Sequence, residues 1–316
     1  MKSTKEKLLA KAQLLAVVRR FFYHRGVTEV CTPILGQAAA TDPSIEPLHT
    51  RYTGPEYPQG LDLFLQTSPE FAMKRLLAAG SGAIYQIAQV FRDGEYGPRH
   101  NPEFTLLEWY RPGLDHHGLM QEVADLVYAC LGAEPGMEKI SYVALFEREF
   151  GWNPLQAQLR QLEDAARAHG VEICDLEHRD QWLDLLMSLV IEPTLGKQGL
   201  TFVYDYPASQ ASLARLSSED ECVASRFELY YRGVELANGF HELTNAAEQR
   251  KRFEAENRQR RQRGLAQLPV DEKLLAALES GLPDCAGVAL GLDRLLMLQQ
   301  GASTLDDVLA FSLKDA

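Results

Sequence analysis

Phe91-Arg92-Asp93-Gly94-Glu95-Tyr96-Gly97-Pro98-Arg99-His100-Asn101-Pro102-Glu103-Phe104 is the stretch on which the reading of this chain turns. Strand-forming residues flank it, from about Ala83 to Phe91 and from Glu103 to Tyr110, while Gly, Pro, Asp and Arg fill its middle. That pattern predicts a long hairpin. Its loop would carry Arg92, Arg99 and His100 close to one ligand, with Glu95 and Glu103 as acceptors. A guanidinium presents a planar fork of donors that engages two oxygens together, which suits phosphate and carboxylate. Taken alone, the stretch could equally be an ordinary polar hairpin.

A second stretch lies near the C-terminus. Gly287-Val288-Ala289-Leu290-Gly291-Leu292-Asp293-Arg294 reads as a glycine-broken strand running into an apolar helix, with Arg294 in the first helical turn. Glycines let a backbone lie flat against a planar ligand, and a helix start favours anions. Between the two, Arg226 to Leu236 reads as two alternating strands meeting at Arg232-Gly233. An even-numbered loop would put Glu228 and Glu235 on one face, where two carboxylates repel unless a cation joins them. Mg²⁺ shared with phosphate oxygens is the economical cation, the alternative being two solvated acids. Simple alternation points Glu242 away from Glu235, so an inward Glu242 requires a bulge, expected near Gly239.

Working outward, apolar residues recur at helical spacing from Lys5 to Arg25, and Gly26 marks the stop. Val27 to Val30 reads as a short strand, 41 to 60 as a long Pro-, Gly- and Asp-rich loop, and Leu61 to Leu65 as a strand. Thr67-Ser68-Pro69-Glu70 is helix-start chemistry. The region from about 114 to 200 is mainly helical by pattern, and Thr201 to Tyr206 returns to strand. Antiparallel strands with interspersed helices predict an α+β fold. His116 and His117 read as surface residues of a polar turn, and Glu248 to Gly264 as an exposed helix dense in arginine.

The 316 residues allow a substantial core, and 46% are apolar without any run near the roughly 18 residues of a membrane span. The N-terminus lacks the apolar core of a secretory signal, so a cytoplasmic enzyme is expected. Five widely spaced cysteines, Cys31, Cys130, Cys174, Cys222 and Cys285, read as free thiols. A net charge of -12 disfavours a polyanionic partner such as tRNA.

The Phe-Arg loop through His100-Asn101-Pro102-Glu103-Phe104-Thr105 and Glu108-Trp109-Tyr110 resembles motif 2 of class II aminoacyl-tRNA synthetases in its lysine-specific form. Gly287 to Arg294 resembles motif 3, and Arg19 to Pro33 the dimer-forming motif 1. The resemblance implies a class II synthetase-like core, a mainly antiparallel sheet flanked by helices, that uses ATP and Mg²⁺ and forms a homodimer. Arg92 and Arg294 would be catalytic. ATP would meet Arg92, Asp93, Gly94, Glu95, His100, Asn101, Glu235, Leu236, Gly291 and Arg294, and the metal Glu228 and Glu235. The amino acid would meet Ser68, Pro69, Glu70, Tyr110, Asn238, Glu242 and Ala289.

Four departures bear on the match. Lysyl-tRNA synthetases usually place an adenine-contacting Glu where this chain has Gly94, so that role passes to Glu95. They also usually have Glu at the place of Ser209 and Gly at Ala289, and they carry an N-terminal anticodon-binding OB domain for which residues 1–316 leave no room. A single catalytic domain with a helical insertion at about 114–200 is expected. The missing domain, Ser209 and Ala289 resemble the elongation factor P lysine ligases, truncated paralogues of lysyl-tRNA synthetase. The resemblance implies ATP-dependent activation of (R)-β-lysine, or lysine, and transfer to a lysine ε-amine of elongation factor P. The alternative is a truncated synthetase charging tRNA with lysine. The arginine-rich helix would be either a solvated face or a steering patch for a partner.

Overall fold

A computed structural model describes residues 3–171, 176 and 178–316. The chain forms two compact units, Met1–Leu114 with Leu243–Ala316, and Asp115–Glu242.

The first unit opens with α1 (Thr4–His24). Ser3 and Glu6 form a reciprocal cap at its start, and the chain leaves it through Gly26 at a φ of +64°. Leu14, Val18, Phe21 and Phe22 make its buried stripe, and Phe22 stacks on Tyr85 at 4.3 Å. There follow β1 (Thr28–Glu29), β2 (Leu35–Gly36), β3 (His49–Gly54), β4 (Tyr57–Leu65), α2 (Glu70–Ala78), β5 (Ile84–Phe91) and β6 (Glu103–Pro112). Strands β2, β4 and β3, in that order, make a small antiparallel sheet. This corrects the expected loop at 41 to 60. Its Gly and Pro residues punctuate a hairpin, at a register shift between Tyr52 and Gly54 and in the turn that follows, while the Thr and Tyr residues between them pair.

The second unit contains α3 (His116–Leu131), β7 (Met137–Ser141), α4 (Tyr142–Phe150), α5 (Leu159–Ala168), α6 (Arg179–Leu186), β8 (Leu200–Pro207), β9 (Val223–Tyr231) and β10 (Val234–His241). Its strand order is β10-β9-β8-β7, antiparallel except for the parallel β7–β8 pair. The helices pack an aromatic core of Tyr142, Phe146, Trp182, Tyr206 and Tyr230.

The chain then re-enters the first unit as α7 (Ala246–Gln262), α8 (Glu272–Gly281), β11 (Cys285–Gly291) and α9 (Leu292–Gln299). Strand β11 lies antiparallel beside β6, giving the order β1-β5-β6-β11, with β1 parallel to β5. Each unit is therefore mixed, with mostly antiparallel strands flanked by helices. Cys31 and Cys222 are exposed free thiols, and Cys130 and Cys285 buried ones; burial pushes the Cys130 thiol up to about 12. Cys174 lies outside the described residues. Among the described residues no helix is long and apolar enough to cross a membrane.

Candidate active site

In the first unit β5 and β6 pair from Ile84↔Tyr110 to Phe91↔Glu103, which closes the loop between them at Arg92, whose amide donates to Pro102 O at 2.9 Å. The Arg92 guanidinium lies over the Phe104 ring and makes two long contacts, to Glu95 Oε1 and to Thr67 O, both 3.5 Å. Gly94 follows at a φ of +76°, a backbone region strained for any L side chain. The carboxylate of this loop therefore comes one residue later, at Glu95, and turns back to Arg92. Asp93 Oδ1 accepts the Gly94 amide.

At the start of α9, Arg294 donates through Nη2 to His100 Nε2 at 2.7 Å and through Nε to Arg99 O at 3.2 Å. For Nε2 to accept, the His100 ring must be neutral. Desolvation of its covered edge, then Arg294, lowers its pKa below the ordinary histidine value; Arg92 and Arg99 act the same way and Glu95 opposes them. Three guanidinium-bearing residues thus surround one imidazole, a setting suited to a polyanion. No side chain caps α9. Asn101, expected at the nucleotide, is buried and already bridges Glu103 O (2.6 Å) and the Leu313 amide (3.1 Å).

The same unit holds five of the seven expected amino-acid residues, Ser68, Pro69, Glu70, Tyr110 and Ala289. Ser68 Oγ accepts the Glu70 amide at 3.0 Å and donates to Glu108 Oε2 at 2.6 Å; Tyr110 donates to Glu108 Oε1, also at 2.6 Å. Ala289 lies directly opposite Glu108 across the β6–β11 pair, and Gln86 opposite it across β5–β6, so all three share a face. Gln86 is 4% exposed, and among the described residues nothing donates to its Oε1. Pro69 precedes α2 without a side-chain cap, and Glu70, expected to receive an amino group, already holds one, the buried Lys74 Nζ at 2.7 Å. Ser68, Pro69 and Glu70 line a cavity of about 620 Å³ together with Ile34 and Phe64.

In the second unit β9 and β10 meet in a two-residue turn at Arg232 and Gly233, both at positive φ. Tyr230 opposes Glu235, and Glu228 lies on the same face two residues earlier. The expected bulge near Gly239 is corrected: the register shifts between Glu235 and Ala237, at Leu236. The shift brings Asn238 opposite Glu228, and alternation continued one residue past β10 turns Glu242 to that same face. Glu242 is 1% exposed. Glu228 Oε1 accepts from Arg226, and Oε2 from Tyr230 and from Tyr206 at 2.7 Å. Burial, then Glu228, pushes both phenols well above the ordinary tyrosine value, so they remain donors. Arg226 also donates to Asn238 Oδ1 at 3.3 Å.

The donor set suits Mg²⁺. It consists of hard oxygens, and Oε1 of Glu228, with one hydrogen bond, keeps a lone pair for a cation beside Glu235. Among the described residues no group of three or more His, Cys, Asp or Glu is placed to hold a metal, so the remaining ligands would have to be water and phosphate oxygens.

Two surface expectations hold only in part. His117 is exposed as expected, but His116 is 7% exposed, with the tilted His117 ring at 4.1 Å and Asp205 Oδ1 3.4 Å from its Nε2. On α7, Arg260 is fully buried, Arg250 pairs with Glu272, and Arg252 with Glu248. Lys251, Arg258, Arg261 and Arg263 stay exposed; Asp205, Glu272 and Glu46 come from segments distant in sequence, which a helical wheel cannot show.

Sequence reading left Glu108, Gln86 and Asp293 without roles. Asp293 is 3% exposed and accepts from the Thr105 amide (2.7 Å) and from Lys11 Nζ (3.0 Å), fastening the first turn of α9 to β6 and α1. A polar residue inside an apolar strand, as at Leu107-Glu108-Trp109 or Tyr85-Gln86-Ile87, was the available signal.

The model of the class II tRNA synthetases (D, K and N) matches residues 1–315. Similar proteins include the elongation factor P (R)-beta-lysine ligases of Salmonella dublin, Salmonella paratyphi B and Salmonella heidelberg, each 53% identical over 311 residues, which cover 98% of this chain and 95% of the relative. With a motif 2 loop closed by Arg92, a motif 3 helix opened by Arg294, and a match along nearly its whole length, the chain belongs to the class II tRNA synthetases.

Proposed function

We propose that this protein activates (R)-β-lysine with ATP and transfers it to the ε-amine of a lysine on elongation factor P. The observation that carries the reading is the acceptor-rich face of β5 and β6: Glu108 is held by Ser68 and Tyr110, and Gln86 Oε1 lacks a donor that a substrate ammonium would supply. The activity for which the Salmonella relatives are named supplies the protein acceptor.

The substrate carboxylate attacks the α-phosphorus of ATP, the bond to the β-phosphate oxygen breaks, and pyrophosphate leaves. The acceptor amine then attacks the acyl carbon, loses a proton, and AMP departs with the mixed-anhydride oxygen. No general base is needed for the first step, because the carboxylate is already a nucleophile; positioning and charge neutralisation carry it. Arg92 clamps the carboxylate and the α-phosphate. Arg294, oriented by neutral His100, holds the outer phosphates, and Glu95 reads the adenine. Mg²⁺ held by Glu228 and Glu235 would neutralise phosphate charge, and Glu242 and Asn238 would take up the substrate's polar groups. The exposed Leu8, Leu9 and Tyr23 of α1 would join two copies, and the reaction would run in the cytoplasm beside translation.

The test is intact-mass measurement of elongation factor P incubated with this protein, ATP, Mg²⁺ and either (R)-β-lysine or α-lysine. A gain of one lysyl residue, larger with the β isomer, is expected. Absence of any gain, with lysine appearing on tRNA instead, would give the reaction to the charging alternative. The net charge of -12 argues against that polyanionic partner.

A further inference from the structure

Arg260 lies in the last turn of α7, on a helix whose sequence suggests solvated arginines, yet its side chain is wholly buried. All three guanidinium nitrogens are in use. Nε donates to Ala266 O at 2.7 Å, Nη1 to Asp42 O at 3.2 Å, and Nη2 to Glu46 Oε2 at 2.6 Å. One turn earlier on the same face, Glu256 accepts from the Thr41 hydroxyl, so residues 41 to 46 are tied to α7 at three points. The buried stripe Gln249, Phe253, Asn257 and Arg260 is the helical face that makes this seat, with Phe253 against Phe71 of α2 at 5.6 Å.

The other end of that segment reaches the phosphate loop. Glu46 and Asp93 form an antiparallel bridge, and the Asp93 amide donates to Glu46 O at 2.8 Å. The loop needs such an anchor. Both polar contacts of the Arg92 side chain are 3.5 Å long, so its position depends on where the backbone is held. Arg92 N to Pro102 O and Asp93 N to Glu46 O hold that backbone at Arg92 and Asp93, with Phe91 N to Gln66 O just before them and Leu305 N to Pro98 O farther along the loop. A misplacement of about 1 Å at a reacting group can cost on the order of 100-fold in rate. Burying a guanidinium is unfavourable unless every donor is paired, and none of the partners of Arg260 is a ligand-handling residue.

We propose that Arg260 is a positioning residue for ATP: it locks the Asp42–Glu46 segment onto α7 and thereby fixes the Asp93 end of the loop that carries Arg92. This rests on the reading of that loop as the phosphate-handling element. The variants Arg260→Lys, which keeps the charge but has its three donors on one nitrogen and cannot span the three acceptors, and Glu46→Ala test it in the full chain. The Glu46 side chain is 41% exposed, so its removal leaves no buried hole, but it takes the anionic partner from the buried Arg260; circular dichroism and a melting curve establish that the variant is folded before either readout is taken. Arg250→Ala, on the same helix but outside the seat, is the control.

Two readouts separate the inference from the function it serves. Hydrogen exchange of the amides of 92–96 should quicken about tenfold in both variants and not in the control, whatever the enzyme's substrate. In amino-acid-dependent pyrophosphate exchange, KM for ATP should rise about tenfold while KM for the amino acid stays within twofold. Unchanged amide exchange in folded Glu46→Ala overturns the proposal, and so does a parallel rise of both KM values. If the wild type catalyses no pyrophosphate exchange with any lysine isomer, the proposed function fails, and the amide exchange alone still decides the role of Arg260.

Discussion

Gln86 and Glu256 show what single buried polar atoms imply. If Gln86 Oε1 accepts from the substrate, Gln86→Leu, of nearly the same shape, should raise KM for the amino acid about 10- to 100-fold and leave KM for ATP unchanged, since a hydrogen bond to a charged group is worth roughly 1.5–3 kcal/mol. Initial rates of pyrophosphate exchange against each substrate check this. Glu256 has its pKa pushed up to about 7, by burial first and then by Asp42 and Glu70, against the Thr41 hydrogen bond and Arg252. The folded state thus holds this proton more tightly than the unfolded chain does. Its stability is undiminished below about pH 4.5, falls as pH rises, and carries the whole penalty above about 7, on the order of 3 kcal/mol. Glu256→Gln, which can still accept from Thr41, should therefore melt higher than wild type at pH 8, with the difference vanishing near pH 4.5. A gap that is constant with pH would rule the titration out.

At the scale of elements, the β9–β10 hairpin depends on one extra residue. Without the shift at Leu236, Asn238 and Glu242 would point away from Glu228 and Glu235. Deleting Leu236 should abolish pyrophosphate exchange, by at least about 1000-fold, because every side chain beyond it changes face; Leu236→Ile, which keeps the count, should retain most of the rate. The phosphate loop depends likewise on Gly94. At a φ of +76°, with no atom within 4 Å of an added Cβ, Gly94→Ala meets backbone strain alone and should lower stability by about 1–2 kcal/mol in a denaturant titration.

For the whole molecule, ligand linkage gives the broadest test. A nucleotide that binds only the folded chain should stabilise it by about 2.7 kcal/mol at 100 times Kd, and Arg294→Ala should lose most of that gain while melting normally without ATP. Loss of the unliganded fold in that variant would mean that Arg294 serves its contacts with His100 and Arg99 more than the phosphates.

Local chemistry announced much of this protein. The hairpin around Arg92, the helix opened by Arg294 and the turn at Arg232-Gly233 are set by residues within a few positions of one another, because turn formers, β-branched runs and helical spacing act over short range. The residue types of the candidate site were legible for the same reason. What they touch was not. The seat of Arg260, the double hold on Glu108, the Asp293 tie and the orphan acceptor of Gln86 each join segments far apart in the chain. The bulge at Leu236 carries no Gly or Pro to mark it, and the strands at 49 to 65 were hidden by prolines that lie at their ends and bends. Burial and pairing are properties of the packed chain. Only the tertiary structure could decide which arginines of α7 face water, and that Glu242 joins the face of Glu228 and Glu235.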